Sequence, residues 1–333
     1  MKILFLTRRF YPHIGGVEKH ILRVSQELTK KGYKVTILAE KHKKSLKNKE
    51  NYKGIEVVRF PYFAENKFKK FRIWKWLWSN RDLFKNADII HAHDVAYWWL
   101  PFKFIYPHKS FFTTFHGYET VFPPTSSAIR QRRLAKRASR GTINVGEYIK
   151  KWYGTSSDNV VYGGVDPVPT SSLKVKKDST KLKILLVGRL EEDIGVDVYL
   201  NALENLKKQG VQYELTVCGD GSYRAKFAKL GKVHGFVENL SSYIRTSDVV
   251  LASSYLSILE ALSYNKPVAA VYTNPLKKDY LTSALFAKNI MICKSAGEVE
   301  DSIINYKKTF KPPYTPSSWS DVAEVYTKLW KKI

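Results

Sequence analysis

The stretch Asp166-Pro167-Val168-Pro169-Thr170-Ser171-Ser172-Leu173-Lys174-Val175-Lys176-Lys177-Asp178-Ser179-Thr180-Lys181 separates two halves of similar design. Its Pro, Ser, Thr and Lys residues supply no hydrophobic face, so it reads as a linker. Upstream, apolar β-rich runs alternate with helix-length segments, at Lys2–Thr7, Lys34–Glu40, Ile55–Phe60, Asp88–His93, Phe111–Phe115, Thr142–Val145 and Asn159–Tyr162. Within Val17–Lys31, Ile21, Leu22, Val24 and Leu28 recur at helical spacing. Downstream the alternation restarts, at Lys183–Val187, Tyr213–Cys218, Lys232–Phe236, Val249–Ser253, Pro267–Tyr272 and Asn289–Cys293. Each half carries the βαβ pattern of a parallel sheet covered by helices. The expected fold is α/β, with two Rossmann-like parallel-sheet domains whose strand-end loops face a cleft. Beyond Pro312, Pro313 and Pro316, the residues Val322, Val325, Tyr326, Leu329 and Trp330 predict a terminal amphipathic helix.

Composition fits that division. A chain of 333 residues suits two cores, and 44% hydrophobic with 26% charged residues describes a globular protein. Lysine and arginine total 56 against 30 acidic residues, a net charge of +26 that points to anionic partners: nucleic acid, an anionic membrane or phosphorylated small molecules. No run approaches the ~18 apolar residues of a membrane span, and no signal peptide is read at Met1–Thr7. The expectation is a cytoplasmic protein, soluble or peripheral. Cys218 and Cys293 lie in apolar runs and read as small core residues.

Several strand ends carry residues with chemical potential. Pro12-His13-Ile14-Gly15-Gly16-Val17-Glu18 is a glycine loop entering a helix, where a ligand can approach the backbone and the helix N-terminus favours a phosphate. An ordinary strand-to-helix turn has the same look. Ile184-Leu185-Leu186-Val187-Gly188-Arg189-Leu190 ends a buried strand on an arginine suited to a diphosphate that gains charge as its bond breaks, or to a surface pair with Glu191 or Glu192. Val217-Cys218-Gly219-Asp220-Gly221 is a strand and a glycine turn. In Leu251–Leu262 a strand passes through Ser253 and Ser254 into a short helix. The amides and hydroxyls there suit a diphosphate, and Glu260, further along, suits ribose hydroxyls.

In this order these segments resemble the retaining nucleotide-sugar glycosyltransferases of family four, group one type, over nearly the whole chain. The resemblance implies the GT-B architecture, with an N-terminal acceptor domain over 1–165, a linker over 166–182, a nucleotide-sugar donor domain over 183–315, and a terminal helix over 316–333 crossing back to the N-terminal domain. It implies that His116, in Thr114-Phe115-His116-Gly117, lies beside the transferred sugar, that Arg189 stabilises the departing diphosphate and that Glu260 holds ribose. Donor contacts fall to Gly15, Gly16, Gly188, Gly219, Gly221, Phe236, Val237, Ser253, Ser254, Tyr255 and Leu256. Ile90-His91-Ala92-His93-Asp94 is similar to another family signature, and His93, Asp94 and Tyr118 become acceptor-side candidates. Enzymes of this fold generally work without a metal, so none is expected at the two histidines and the aspartate, and no other cofactor is implied.

This sequence departs from the family pattern in four places. Ile194 stands before Gly195 where a lysine is usual, so one phosphate-neutralising cation is missing. The count back from Glu260 to a first glutamate lands on Ala252. Gly163 replaces an asparagine, and Gly146 a frequent serine. Weakened catalysis, or a role in binding saccharide or lipid, is the alternative these departures raise.

Asn66–Asn86 interleaves Lys67, Lys69, Lys70, Arg72, Lys75, Arg81 and Lys85 with Phe68, Phe71, Trp74, Trp76, Trp78 and Phe84, against the single acid Asp82. This is the composition of an interfacial helix that inserts rings among headgroups while its lysines meet anionic lipid. Packing of the rings on the first sheet is the competing arrangement. Lys67, Lys69, Lys70, Arg72, Trp74, Lys75, Trp76 and Trp78 are the expected docking residues, and the run Tyr97–Phe102 is expected to join them. Arg130, Arg133, Arg137 and Arg140 form a second basic stripe. No nucleic-acid reader module accompanies these bases, so nucleic acid is not expected as a partner. The expected partners are a UDP- or GDP-linked sugar, a lipid-linked or membrane-presented acceptor and the anionic cytoplasmic face of a membrane.

Overall fold

The computed structural model describes residues 1–117, 121–169, 181–309 and 314–331. Tyr118 and most of the linker therefore lie outside the described residues. The chain forms two compact units, one of Met1–Val161 with Trp319–Ile333 and the other of Tyr162–Ser318.

In the first unit the strands are β1 (Lys2–Thr7), β2 (Lys34–Glu40), β3 (Lys49–Tyr52), β4 (Ile55–Phe60), β5 (Ile89–His93), β6 (Ser110–Phe115), β7 (Gly141–Val145) and β8 (Asn159–Val161). They form one sheet in the order β3-β4-β2-β1-β5-β6-β7-β8. Every pairing is parallel except β3 with β4. The polar strand Lys49-Glu50-Asn51-Tyr52 shows no hydrophobic alternation, which is why the sequence pattern passes over it. It caps the sheet edge with charged side chains. The central strands are buried along their length, as a sheet covered on both faces requires. The helix Trp319–Trp330 lies against the helix Gly16–Lys30 and buries Trp319, Val322, Ala323, Tyr326, Leu329 and Trp330.

The helix Lys69–Ser79 attaches to this unit along one face. Lys69, Ile73 and Leu77, spaced four residues apart, are all buried. Lys69 Nζ lies 2.8 Å from Glu40 and 2.7 Å from Glu65, so its charge is neutralised inside the protein, and this side chain is not available to lipid. Trp76 packs on Phe60 with ring centroids 5.7 Å apart, and Trp74 donates to the Tyr97 carbonyl at 2.9 Å, leaving both half-buried. Leu77 and Phe84 are fully buried. Trp98, Trp99 and Phe102 are core residues too, which corrects the expectation that Tyr97–Phe102 forms surface; Trp98 closes on Phe60 at 4.8 Å. Phe68, Phe71 and Trp78 stay outside, beside the exposed Lys67, Lys70, Arg72 and Lys75.

The second unit has β9 (Leu182–Val187), β10 (Tyr213–Cys218), β11 (Lys232–Val233), β12 (Val249–Leu251), β13 (Val268–Val271) and β14 (Met291–Cys293), in the order β11-β10-β9-β12-β13-β14, all parallel. Its core gathers Ile184, Leu186, Leu203, Val217, Leu251 and Val271 beneath the helix Val196–Lys208. Cys218 and Cys293 are buried free thiols. Among the described residues no helix is long and apolar enough to cross a membrane.

Candidate functional site

Open parallel sheets bind ligands beyond the carboxyl ends of their strands, where the strand order reverses. In the first unit that point lies between β1 and β5, and in the second between β9 and β12. The motif residues gather at both.

In the first unit, β5 and β6 are neighbours in parallel register, with His93 opposite Thr114, so their ends bring His93 Nδ1 within 2.8 Å of His116 Nε2. Behind them runs a buried hydrogen-bond chain. The Trp330 indole N–H can only donate, and it reaches His91 Nδ1 at 3.1 Å. His91 therefore carries its proton on Nε2 and donates to Thr114 Oγ1 at 2.7 Å. Thr114 meets the Tyr326 hydroxyl at 3.0 Å, and Tyr326 meets His20 Nε2 at 2.9 Å. Burial holds His20, His91 and His93 neutral, with pKa values well below the ordinary imidazole range, and takes His116 down to about 3. Mutual repulsion among these imidazoles adds to burial, and for His116 the nearby Arg132 does the same. A neutral imidazole can hold a sugar hydroxyl as donor or acceptor.

Asp94 follows β5 in a left-handed conformation, φ 61°, that aspartate tolerates better than most side chains. The turn brings its carboxylate back to accept the His116 backbone N–H at 3.1 Å. Burial raises the Asp94 carboxyl against the lowering influence of Arg132 and of that N–H, although about a third of the side chain, 35%, remains exposed. Arg132, from the helix Ser126–Ala138, lies 3.6 Å from Asp94, donates to the Gly117 carbonyl at 2.6 Å and stacks its guanidinium over Tyr153 at 4.3 Å. A pocket of about 180 Å³ opens beside Asp94, Tyr97, Phe115, Gln131 and Arg132. Arg132 was hidden in sequence among the arginines of its helix; the one signal is that it falls off the stripe formed by Arg130, Arg133, Arg137 and Arg140.

The glycine loop is differently furnished from the sequence expectation. Gly15 caps the helix Gly16–Lys30 without a side-chain bond, and the carboxylate of the buried Glu18 folds against it. Arg9 donates to His13 Nε2 at 3.0 Å, which leaves the His13 proton on Nδ1 to donate to Glu18 at 2.9 Å. An acid thus lies at the helix N-terminus beside Gly15 and Gly16, the positions expected to receive phosphate.

In the second unit Gly188 and Arg189 follow β9. Arg189 is half exposed and donates to Asp193 at 2.8 Å. Gly219, after β10, sits so tightly on the Gly188 carbonyl that any Cβ would collide with it. Gly221 is the next turn residue, while Phe236 is exposed and Val237 half-buried after β11. The Ser253 hydroxyl is not available to a ligand, because it is buried between the Tyr199 hydroxyl at 2.7 Å and the Val271 N–H at 3.0 Å. Ser254 is exposed and bonds Ser257 at 3.0 Å. The Tyr255 N–H donates to the Tyr280 hydroxyl at 2.8 Å, and the two rings stack at 3.8 Å, so this amide too is engaged within the protein. Leu256 and Glu260 are half-buried on the helix Tyr255–Ser263. Gly163 stands in place of asparagine because Leu256 fills the space a side chain would need, at a φ of 111°. Among the described residues no group of three His, Cys, Asp or Glu side chains could hold a metal.

Both switch points are places where doubly wound parallel sheets hold ligands. Residues 14–168 match Glycosyltransferase Family 4 and residues 181–290 match Glycosyl transferases group 1; the chain belongs to this glycosyltransferase family and is a glycosyltransferase of the GT-B fold. It is 23% identical over 257 residues, 70% of its length, to the Phosphatidylinositol N-acetylglucosaminyltransferase GPI3 subunit of Saccharomyces cerevisiae, covering 56% of that protein. The chain thus spans a little over half the length of this relative. Among solved structures, sucrose-phosphate synthase from Thermosynechococcus elongatus aligns at TM-score 0.74 and 13% identity, over 99% of this chain and 98% of that one. Anabaena HepE in complex with UDP and glucose aligns at 0.71 and 15%, over all of both chains.

Proposed function

We propose that this enzyme transfers a hexose, with retention of anomeric configuration, from a UDP- or GDP-linked sugar to a hydroxyl of a lipid-linked acceptor at the cytoplasmic face of an anionic membrane. The observation that carries the membrane half is the helix Lys69–Ser79, bolted down through Lys69, Ile73 and Leu77 while Phe71 and Trp78 stand 63% and 53% exposed among cations. Rings held outward at that cost suit insertion among headgroups. The relative named for phosphatidylinositol and the neighbour holding UDP and glucose support the same reading. Arg189 stabilises the departing diphosphate, Glu260 holds the ribose, and His116 contacts the sugar near the reacting carbon. Attack comes from the face the diphosphate leaves, and side-chain cations rather than a metal compensate its charge.

The test is transfer or donor hydrolysis by the purified protein with anionic vesicles carrying lipid acceptor. Arg189→Ala is expected to lower turnover by about 10²–10³-fold, the usual loss when one preorganised charge partner is removed; full activity in that variant would overturn its role. Ile194 and Ala252 favour a second reading, a binding protein with weakened catalysis, which nucleotide-sugar binding without turnover would support.

A further inference from the structure

The turn Ala96–Trp98 touches both the helix Lys69–Ser79 and the helix Ser126–Ala138. These elements carry the chain from β4 to β5, β5 to β6 and β6 to β7, and right-handed crossovers put all three on one face of the first sheet. The cavity of about 180 Å³ lies between that turn and the helix Ser126–Ala138. The helix turns Ser127, Ala128, Gln131, Arg132 and Ala135 toward it, positions that share one helical side, and its two alanines leave the space open. Asp94 and Phe115 enter the wall from the strand ends. Leu134 lines the cavity and is also 47% exposed, so it stands at a mouth. Tyr97 belongs both to this cavity and to the seat of the docking helix: Trp74 donates to its carbonyl at 2.9 Å, and the Lys70 ammonium is 5.5 Å from its ring. Around the same elements Phe104 is 88% exposed, Lys103 ties its turn to the Ala138 carbonyl at 3.2 Å, and Arg130 and Arg137 stand in solvent on a helix without an acidic residue. The cavity therefore adjoins the face that carries exposed rings and cations.

The lining chemistry is specific. Asp94 accepts the His116 backbone N–H at 3.1 Å and lies 3.6 Å from Arg132, and a carboxylate has further acceptor sites for hydroxyl groups. Asp94 and Arg132 are the two charged residues of the lining and have opposite signs, so the cavity presents no net charge to an anion. Gln131 donates to Ser127 at 3.1 Å and brings an amide to the wall, while Tyr97 and Phe115 bring rings. A carboxylate and an amide bind the hydroxyls of a polyol, and aromatic rings pack on its C–H faces. The volume equals about six waters, the scale of one hydroxylated ring. We infer that this cavity is the acceptor subsite, and that it takes the uncharged polyhydroxylated ring of a lipid headgroup, a sugar or a cyclitol, through the mouth at Leu134 while the acyl chains stay with the docked bilayer. The inference rests on the membrane-acceptor reading above. It makes Gln131 a specificity residue and places the accepting hydroxyl beside Asp94, whose carboxylate positions His116.

The experiment is calorimetric titration of the full chain with short-chain lipids kept below micelle formation: hexyl glucoside for a sugar ring, dihexanoyl phosphatidylinositol for a cyclitol, and dihexanoyl phosphatidylglycerol as the ringless control. The variants are Gln131→Ala, Leu134→Trp and Ala128→Leu, and sedimentation of the wild type with phosphatidylglycerol vesicles is measured alongside. The inference expects the wild type to bind one ring-bearing lipid at least about tenfold more tightly than the control, and which one it is separates sugar from cyclitol. Gln131→Ala should weaken that binding by about 3–10-fold, the loss of one hydrogen bond, and the two larger side chains should weaken it by more than about tenfold by filling the cavity. Leu134→Trp, at an exposed position, carries this arm even if Ala128→Leu folds poorly. A ring preference that survives both Leu134→Trp and Gln131→Ala overturns the assignment of the cavity. Sedimentation with vesicles but no preference for either ring-bearing lipid overturns this inference alone, and failure to bind vesicles or any of the lipids overturns the membrane-acceptor reading with it.

Discussion

The hydroxyl of Tyr326 sits between Thr114 and His20, and each of those groups is buried away from water. Replacing Tyr326 with phenylalanine takes the hydroxyl partner from His20 Nε2 and leaves Thr114 Oγ1 with its His91 bond alone. The expected loss is about 1–3 kcal/mol in a denaturant melt, with vesicle binding unchanged. Gly219→Ala is expected to cost a similar amount, about 1–3 kcal/mol, because its methyl group meets the rigid Gly188 carbonyl rather than a side chain that can swing away. At this scale the sequence discloses residues fixed by a motif, such as His116 and Arg189. It does not disclose Lys277 or Arg132, since a lysine in Lys277-Lys278 and an arginine in Arg132-Arg133 look alike until one of each pair is found buried. Nor does it disclose that Ser253 faces inward, because a hydroxyl suits a phosphate and a core hydrogen bond equally well.

The helix Lys69–Ser79 separates its two duties by face, and substitutions should separate them as well. Leu77→Ala, on the buried face, is expected to destabilise the first unit by about 2–4 kcal/mol, read from the denaturation midpoint. Phe71→Ser combined with Trp78→Ser, on the outer face, should leave the midpoint within about 0.5 kcal/mol and sharply reduce sedimentation with anionic vesicles. Equal vesicle binding by that pair would remove the membrane role. The amphipathic pattern and the cations were legible from residues 66–86. What the pattern could not rank was which aromatics the core would claim. Trp98 and Trp99 read as surface beside Tyr97 and Leu100, yet the space beside Phe60, Phe84 and Phe111 takes both indoles.

Across the whole molecule the alternation of strand and helix gives the two parallel sheets almost directly, because fully buried strands need unbroken apolar runs. The polar β3 is the element this logic misses. The same burial predicts a pH response. His20, His91, His93 and His116 are all lowered in the folded state, His116 to about 3, so each is neutral in both states above the ordinary imidazole value of 6.5. As pH falls below 6.5 the unfolded chain takes up protons that the folded chain refuses, and stability is lost by up to about 1.4 kcal/mol per pH unit for each histidine. Thermal melts at pH 7.5 and 5.0 should show a marked drop, and a flat profile would contradict the neutral cluster. That cluster has one further consequence. Tyr326 and Trp330, which fix its proton positions, belong to the first unit yet are synthesised after the whole of the second. During translation the first sheet must therefore wait, its histidines unbraced, until the whole second unit has left the ribosome. The enzyme cannot become active piecemeal from its amino end, and a nascent chain stalled before residue 319 would carry a finished second unit and an unfinished first.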